Sequence, residues 1–357
     1  MRLILFVGTK RGLFVAHADA LRISWRFSSP RLEGREVYWA AVDTRTGKAW
    51  AATRHAVWGT HIHRSDDLGD TWTVLDATPH HADERSVTAV WQIASGPSWQ
   101  PQRLYAGIEP AGLFVSEDEG RRWRPMDALN THPTAHQWQP AGGALALHSI
   151  AVDPHVPGRV FCAVSAGGVY RSDDDGSTWM AKNDGVRADF LPVASPAAGH
   201  CVHKLLVHPA REGRLYQQNH CGVYLSDDAG DSWLEITGDL PSDFGYVLAT
   251  EPNDADTLFV VPEESSHMRT TVGGRLVVYR TRNAGASWQP LIHGLPQRNA
   301  YISLLRDAMA WDRLEPAGIY FGTSSGHVFA SRDAGERFQV IAEYLPRVLS
   351  VSVVVER

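Results

Sequence analysis

The sequence predicts an all-β fold, a seven-bladed β-propeller of four-stranded antiparallel blades whose ring is closed by pairing the amino- and carboxyl-terminal strands. Two observations predict it. One turn motif recurs six times in register, each copy set among short β-rich runs, and the two chain ends carry complementary parts of a seventh unit.

The motif is Ser/Thr-x-Asp-x-Gly-x-x-Trp, at SDDLGDTW (65–72), SEDEGRRW (116–123), SDDDGSTW (172–179) and SDDAGDSW (226–233). Looser copies follow at TRNAGASW (281–288), with Asn283 for Asp, and SRDAGERF (331–338), with Phe338 for Trp. The motif glycines 69, 120, 176, 230, 285 and 335 are 51, 56, 54, 55 and 50 residues apart, a structural period that chance matches do not produce. Mechanically, a short Asp side chain accepts backbone N–H groups in a tight turn, and Gly supplies the positive φ such a turn needs. The Trp opens the next strand and packs between sheets.

The elements around each copy repeat. In RVFCAVSAGGVYRSDDDGSTW a strand, a Gly loop, a second strand, the motif turn and a third strand follow one another. The inner strands preceding these units are VYWAAV (37–42), TAVWQIA (88–94), LHSIAV (147–152), VHKLLV (202–207), YVLAT (246–250) and YISLLR (301–306). Four strands every fifty or so residues is the pattern of propeller blades. The seventh blade comes from both ends: residues 1–27 supply three strands, with Arg22 at the place of the motif glycine, and LSVSVVV (349–355) supplies the inner one. This closure removes the open sheet edges of a linear array and makes residues 1–357 one domain.

Composition narrows the function classes. Hydrophobic residues make up 43% and charged residues 21%, enough for a core and against disorder. A net charge of −6 without any Lys/Arg block excludes nucleic acid and anionic membrane as main partners and leaves a small-molecule ligand. The amino end has neither the long apolar stretch nor the cleavage site of a signal peptide, no transmembrane run is present, and the three cysteines, 162, 201 and 221, lack CxxC spacing. A cytoplasmic protein is expected; its oligomeric state is not legible.

The turns resemble the Asp-box (bacterial neuraminidase, BNR) repeats of sialidases, sortilin-type domains and the photosystem II assembly factor, and the chain resembles BNR-repeat glycosyl-hydrolase-like proteins. The resemblance covers essentially the whole chain. It implies the propeller, and it implies that Asp67, Asp118, Asp174 and Asp228 serve the fold, away from the active face. Sialidases also carry an early Arg-Ile-Pro motif; here the early Arg11 and Arg35 sit in RGLF and GREV, so that arginine does not carry over. Tyr301, in AYISLL, is similar to the sialidase nucleophile strand.

If motif turns occupy one face, the hairpin tips and blade-joining loops emerge on the other. Those loops hold His55, His61, His80, His81, His132, His136, His148, His200, His203, His220 and His267, with His63 at the margin. Long loops on a rigid scaffold concentrate function, while any single His among them reads first as an ordinary hydrogen-bonded residue. Three subsets carry chemistry. His148, His203 and His220 are expected to converge at the channel mouth, where neutral imidazoles hold a transition metal such as zinc; Cys201 and Cys221 beside them read first as buried small hydrophobes and second as ligands. Arg54, Arg85, Arg269 and Arg298, with Lys10 and Arg11, suit a carboxylate or phosphate. Glu84, Glu109, Glu263 and Glu264 supply acid/base carboxyls, with only one of the adjacent pair pointing inward. Trp58, Trp91 and Trp138 offer stacking faces. The expected function is an enzyme acting on a small polar, anionic or sugar-like molecule, either a sialidase-like hydrolase or a His-metal enzyme; the alternative is a non-enzymatic binding or assembly propeller. The long loops 126–146 and 181–201 are candidate lids.

Overall fold

The computed structural model describes residues 1–81, 83, 85–140 and 143–356. Among them are seven four-stranded antiparallel sheets, the blades of a seven-bladed β-propeller. Inner strands at Glu36–Asp43, Ala89–Ser95, Ala146–Val152, Val202–Val207 and Gly245–Glu251 match the sequence expectation. The blade of the two termini forms as expected. Val348–Glu356 runs antiparallel to Arg2–Thr9, pairing Leu3 with Val355 and Val7 with Val351, and Gly12–Asp19 and Arg26–Phe27 complete the sheet.

By compactness the chain divides into one unit of Met1–Ala49, Ser65–Trp72 and Ile236–Arg357, and another of Trp50–Arg64 and Thr73–Glu235. In the first, Phe259, Leu291, Phe321 and Phe338 belong to one core cluster and Leu3, Leu5, Val7, Tyr320 and Val351 to another. In the second, Leu113, Val164, Tyr170 and Trp179 form one cluster and Phe161, Val202, Leu215 and Trp233 another. A middle strand such as VFCAVS (Val160–Ser165) is buried at every residue, which is why it reads as a continuous apolar run instead of alternating.

In the repeat turns the aspartates accept backbone N–H groups as the sequence predicts, and the serine at the head of the motif adds a second acceptor. The serine, not the aspartate, accepts the glycine N–H: Ser65 Oγ from Gly69 and Ser116 Oγ from Gly120 at 2.8 Å, Ser172 Oγ from Gly176 at 2.7 Å. The aspartate reaches four residues on. Oδ1 of Asp67 accepts the Thr71 N–H at 2.8 Å, Asp118 that of Arg122 at 2.9 Å, Asp174 that of Thr178 at 2.8 Å and Asp228 that of Ser232 at 2.9 Å. These bonds to the ionised form, with Thr71's hydroxyl the foremost, pull the Asp67 carboxyl down to about 2. Gly176 takes a φ of 87° directly after Asp175 at 57°, so two consecutive left-handed residues make the turn.

Two parts differ from the sequence reading. YISLLR (301–306) is not a strand; the inner strand of that blade is Met309–Trp311. The apolar run is held as a loop, its Ile302 carbonyl accepting the Thr271 N–H at 2.8 Å and its Ser303 and Leu304 bonded to Glu263. In the terminal blade, Arg22 keeps the left-handed φ of 56°, and its guanidinium replaces the missing turn chemistry. It pairs with the fully buried Asp312 at 3.1 Å and donates to the carbonyls of Pro316 and Arg332.

Candidate functional site

Each inner strand that delivers a candidate residue is interrupted at that residue. The antiparallel register slips between Val90 and Gln92, between Leu147 and Ser149, and between Val202 and Lys204, leaving Trp91, His148 and His203 as the extra residues. Such a bulge re-aims one side chain while the ladder continues on either side. At the first, the Trp91 indole N–H donates to Glu109 Oε2 at 2.9 Å, and the Thr88 hydroxyl donates to Oε1 at 2.7 Å. Glu109 is thereby engaged in its own hairpin.

His148 is fully buried. Its Nε2–H donates to the Val202 carbonyl at 2.9 Å, and Nδ1 accepts the Ser149 hydroxyl at 3.1 Å. Both ring nitrogens are therefore engaged, and His148 stands outside the one group of metal-capable side chains found among the described residues. That group is Cys201, His203 and His220, whose ligand atoms all lie within 4.8 Å of one another. Cys201 Sγ is 3.5 Å from His203 Nε2, and the rings of His203 and His220 meet edge to face at 5.6 Å. The expected imidazole trio is replaced by two imidazoles and a thiol, because the bulge turns His203 toward the residue two before it.

The other half of the expected site lies in the first unit. Glu263 immediately follows the strand Asp254–Pro262 and is 1% exposed. Its Oε1 accepts the Ser303 hydroxyl at 2.6 Å and the Leu304 N–H at 3.1 Å, while Oε2 is buried with no hydrogen-bond partner among the described residues. Burial pushes this carboxyl up to about 7, against the pull of those two bonds and of the Arg269 and Arg347 charges. Glu264 faces the other way, exposed, with Oε2 accepting the Gly273 N–H at 2.9 Å. One carboxyl of the adjacent pair thus points inward, as alternation along an extended chain requires.

The remaining candidates are mostly surface groups. Tyr301 is 59% exposed beside Gly274, where a Cβ would come within 2.8 Å of its ring. Arg269 is exposed and donates to the Ser266 carbonyl at 2.9 Å, and Arg298 is exposed on the neighbouring loop. In the second unit Arg54 is half-buried, and Arg85 pairs with Asp83 at 2.8 Å on the surface. Trp58 is 67% exposed and stacks on His55. Trp138 is not a stacking face: its indole donates to the Tyr170 hydroxyl at 2.7 Å inside the core of its unit. Glu84 lies outside the described residues. Several of the loop histidines have ordinary partners, His81, His136 and His200 each donating to a proline carbonyl. Within the 126–146 loop, Asp127–Asn130 is a helical turn and Ala135–Gln137 a 3-10 turn. Ser303 and Leu304 had no mark in the sequence, since a serine in an apolar run carries no sign of what it touches.

No protein-family model matches the chain. Among curated proteins, a probable oligoxyloglucan-reducing end-specific xyloglucanase of Neosartorya fischeri is 27% identical over 183 residues, covering 50% of this chain and 19% of its own length. The oligoxyloglucan-reducing end-specific xyloglucanase of Emericella nidulans is 25% identical over 217 residues, covering 54% and 26%. The matched part therefore spans about a fifth to a quarter of those relatives. Among solved structures, the GH74 enzyme of Niastella koreensis superposes with a TM-score of 0.61 at 18% identity, over 94% of this chain and 51% of that one. YCF48 from Cyanidioschyzon merolae does so with a TM-score of 0.53 at 10% identity, over 88% of each chain. At these identities the solved structures share the β-propeller fold with this chain, and its weak curated relatives are glycoside hydrolases of xyloglucan.

Proposed function

We propose that this protein is a hydrolase acting on a small polar, sugar-like molecule, with Glu263 as the proton-donating carboxyl. One observation carries the reading: Glu263 is buried with one oxygen fixed by Ser303 and Leu304 and the other making no hydrogen bond among the described residues, and this burial pushes its carboxyl up to about 7. A carboxyl tuned near the working pH is what general acid catalysis of glycoside cleavage needs, because it must be protonated in the resting state and still give its proton up. The curated relatives, xyloglucanases by name, support a sugar as the substrate class. Of the two enzyme chemistries open to the sequence, this favours carboxyl-based hydrolysis, within which a sialidase-like substrate is the anionic variant.

In the mechanism, the Ser303 hydroxyl and Leu304 N–H fix the rotamer of Glu263 so that its proton sits on Oε2. That oxygen delivers it to the leaving-group oxygen of the glycosidic bond, and Arg269 holds an anionic or polyhydroxylated substrate. Glu264, exposed on the solvent side, orients the water that attacks the sugar carbon as this bond breaks, and the water's proton leaves to solvent. Because Glu263 is buried, substrate reaches its Oε2 only when the loops packed around it move. The test is reducing-sugar release by the full chain from xyloglucan oligosaccharides and from aryl glycosides. Glu263→Gln is expected to lower turnover by about 10²-fold or more with KM little changed. Undiminished turnover in that variant, or a folded wild-type chain inert toward every glycoside offered, overturns the reading.

A further inference from the structure

We propose that Cys201, His203 and His220 form a binding site for a divalent transition metal of the zinc class. The three belong to one blade. Cys201 immediately precedes the inner strand Val202–Val207, His203 is its bulged residue, and His220 lies in the turn joining Leu215–Asn219 to Gly222–Ser226. The His220 N–H donates to the Cys201 carbonyl at 2.9 Å, so the backbone already ties the hairpin tip to the strand start. The side chains are thus mounted on sheet, the support a site of fixed geometry needs.

The distances suit a metal of this size. A sulfur at about 2.3 Å and an imidazole nitrogen at about 2.0–2.1 Å from one tetrahedral ion lie roughly 3.6 Å apart. Cys201 Sγ and His203 Nε2 are 3.5 Å apart, and the other separations are at most 4.8 Å. The donor set selects the ion: a thiolate and two imidazoles, with no carboxylate in the group, suit zinc-like metals and disfavour calcium and magnesium, which take oxygen. Ser165 Oγ, 3.4 Å from Cys201 Sγ, donates to a thiolate there, and the Phe190 ring packs against His220 at 5.0 Å. Cys201 and His203 are buried and His220 is half-buried, so the unfilled fourth position lies on the His220 side, where a water completes the shell. On binding, the thiol proton leaves to solvent and the metal takes its place.

The site stands independently of the role given to Glu263. The experiment uses the full chain stripped of metal by a chelator, then titrated with Co²⁺ and followed by absorption. One equivalent is expected to give the visible bands of a tetrahedral ion together with a sulfur-to-cobalt charge-transfer band, and Zn²⁺ is expected to displace it. Cys201→Ser should remove the charge-transfer band and His220→Ala should weaken Zn²⁺ binding by at least about a hundredfold, since even the outer partners of ligands contribute 10- to 100-fold. Cys221→Ser, one residue beyond His220, should leave the spectrum unchanged. Should the Cys201 or His220 variant fail to fold, the wild-type titration decides. A folded wild type without a charge-transfer band, or a band that survives Cys201→Ser and vanishes in Cys221→Ser, overturns the assignment.

Discussion

The Ser303 hydroxyl donates to Oε1 of Glu263 across 2.6 Å, joining two segments 40 residues apart in the chain. The bond is one of several that hold a strand-like run as a loop, and it ties that loop to a carboxyl whose proton affinity burial has raised. The stability of the protein should therefore carry the titration of Glu263. A raised folded-state value means stability is fully present below the unfolded value near 4.5 and is lost as pH climbs through about 7. The loss amounts to about 3 kcal/mol at most, from the size of the shift. Glu263→Gln keeps the acceptor and removes the titration, so urea denaturation at pH 5 and pH 8 should show the variant gaining on the wild type at the higher pH. A gap independent of pH would sink this account.

The repeat turn places its serine inside and its aspartate outside. Ser172 is fully buried and holds the Gly176 N–H, whereas Asp174 is exposed. Ser172→Ala leaves a buried donor unpaired and should cost about 1–3 kcal/mol, more than the roughly 1 kcal/mol of Asp174→Ala. Neither should alter catalysis. Paired denaturation curves test the order, and a larger loss from the aspartate variant would refute it.

Arg22 is 6% exposed and Asp312 fully buried, with Leu314 and Gly318 N–H and the Tyr320 hydroxyl also donating to that carboxylate. Arg22→Met strands the carboxylate and should cost about 3–5 kcal/mol. The double variant Arg22→Met, Asp312→Asn should recover part of this. Equal melting temperatures for wild type and Arg22→Met would show that the pair is dispensable.

Removing residues 349–357 takes away all but one residue of the strand that pairs with Arg2–Thr9. The truncated chain should fail to fold cooperatively, since Leu3, Leu5 and Val7 lose their cover along with that edge. An unchanged melting curve would contradict this.

The fold was legible because its information is local and repeated. A serine, an aspartate and a glycine at fixed spacing build one turn, and six copies reveal the period. The candidate site was legible only in part. His203 and His220 stand in loops that the sequence marks out, but that Cys201 and not His148 lies beside them depends on a one-residue bulge, and a bulge leaves no mark in residue type. YISLLR shows the converse: its apolar pattern suits a strand, and partners distant in sequence, Glu263, Thr271 and Ser324, hold it as a loop.

The pairing of Arg2–Thr9 with Val348–Glu356 also has a consequence in time. On the ribosome Arg2–Thr9 is made well before its inner partner, Val348–Glu356, which lies at the far end of the propeller sequence. Throughout that interval Leu3–Val7 has one sheet edge unmatched, a template for another chain's strand. That blade is then the one most exposed to misassembly in crowded translation, and the yield of native protein should depend on how quickly Val348–Glu356 finds the strand that has waited for it.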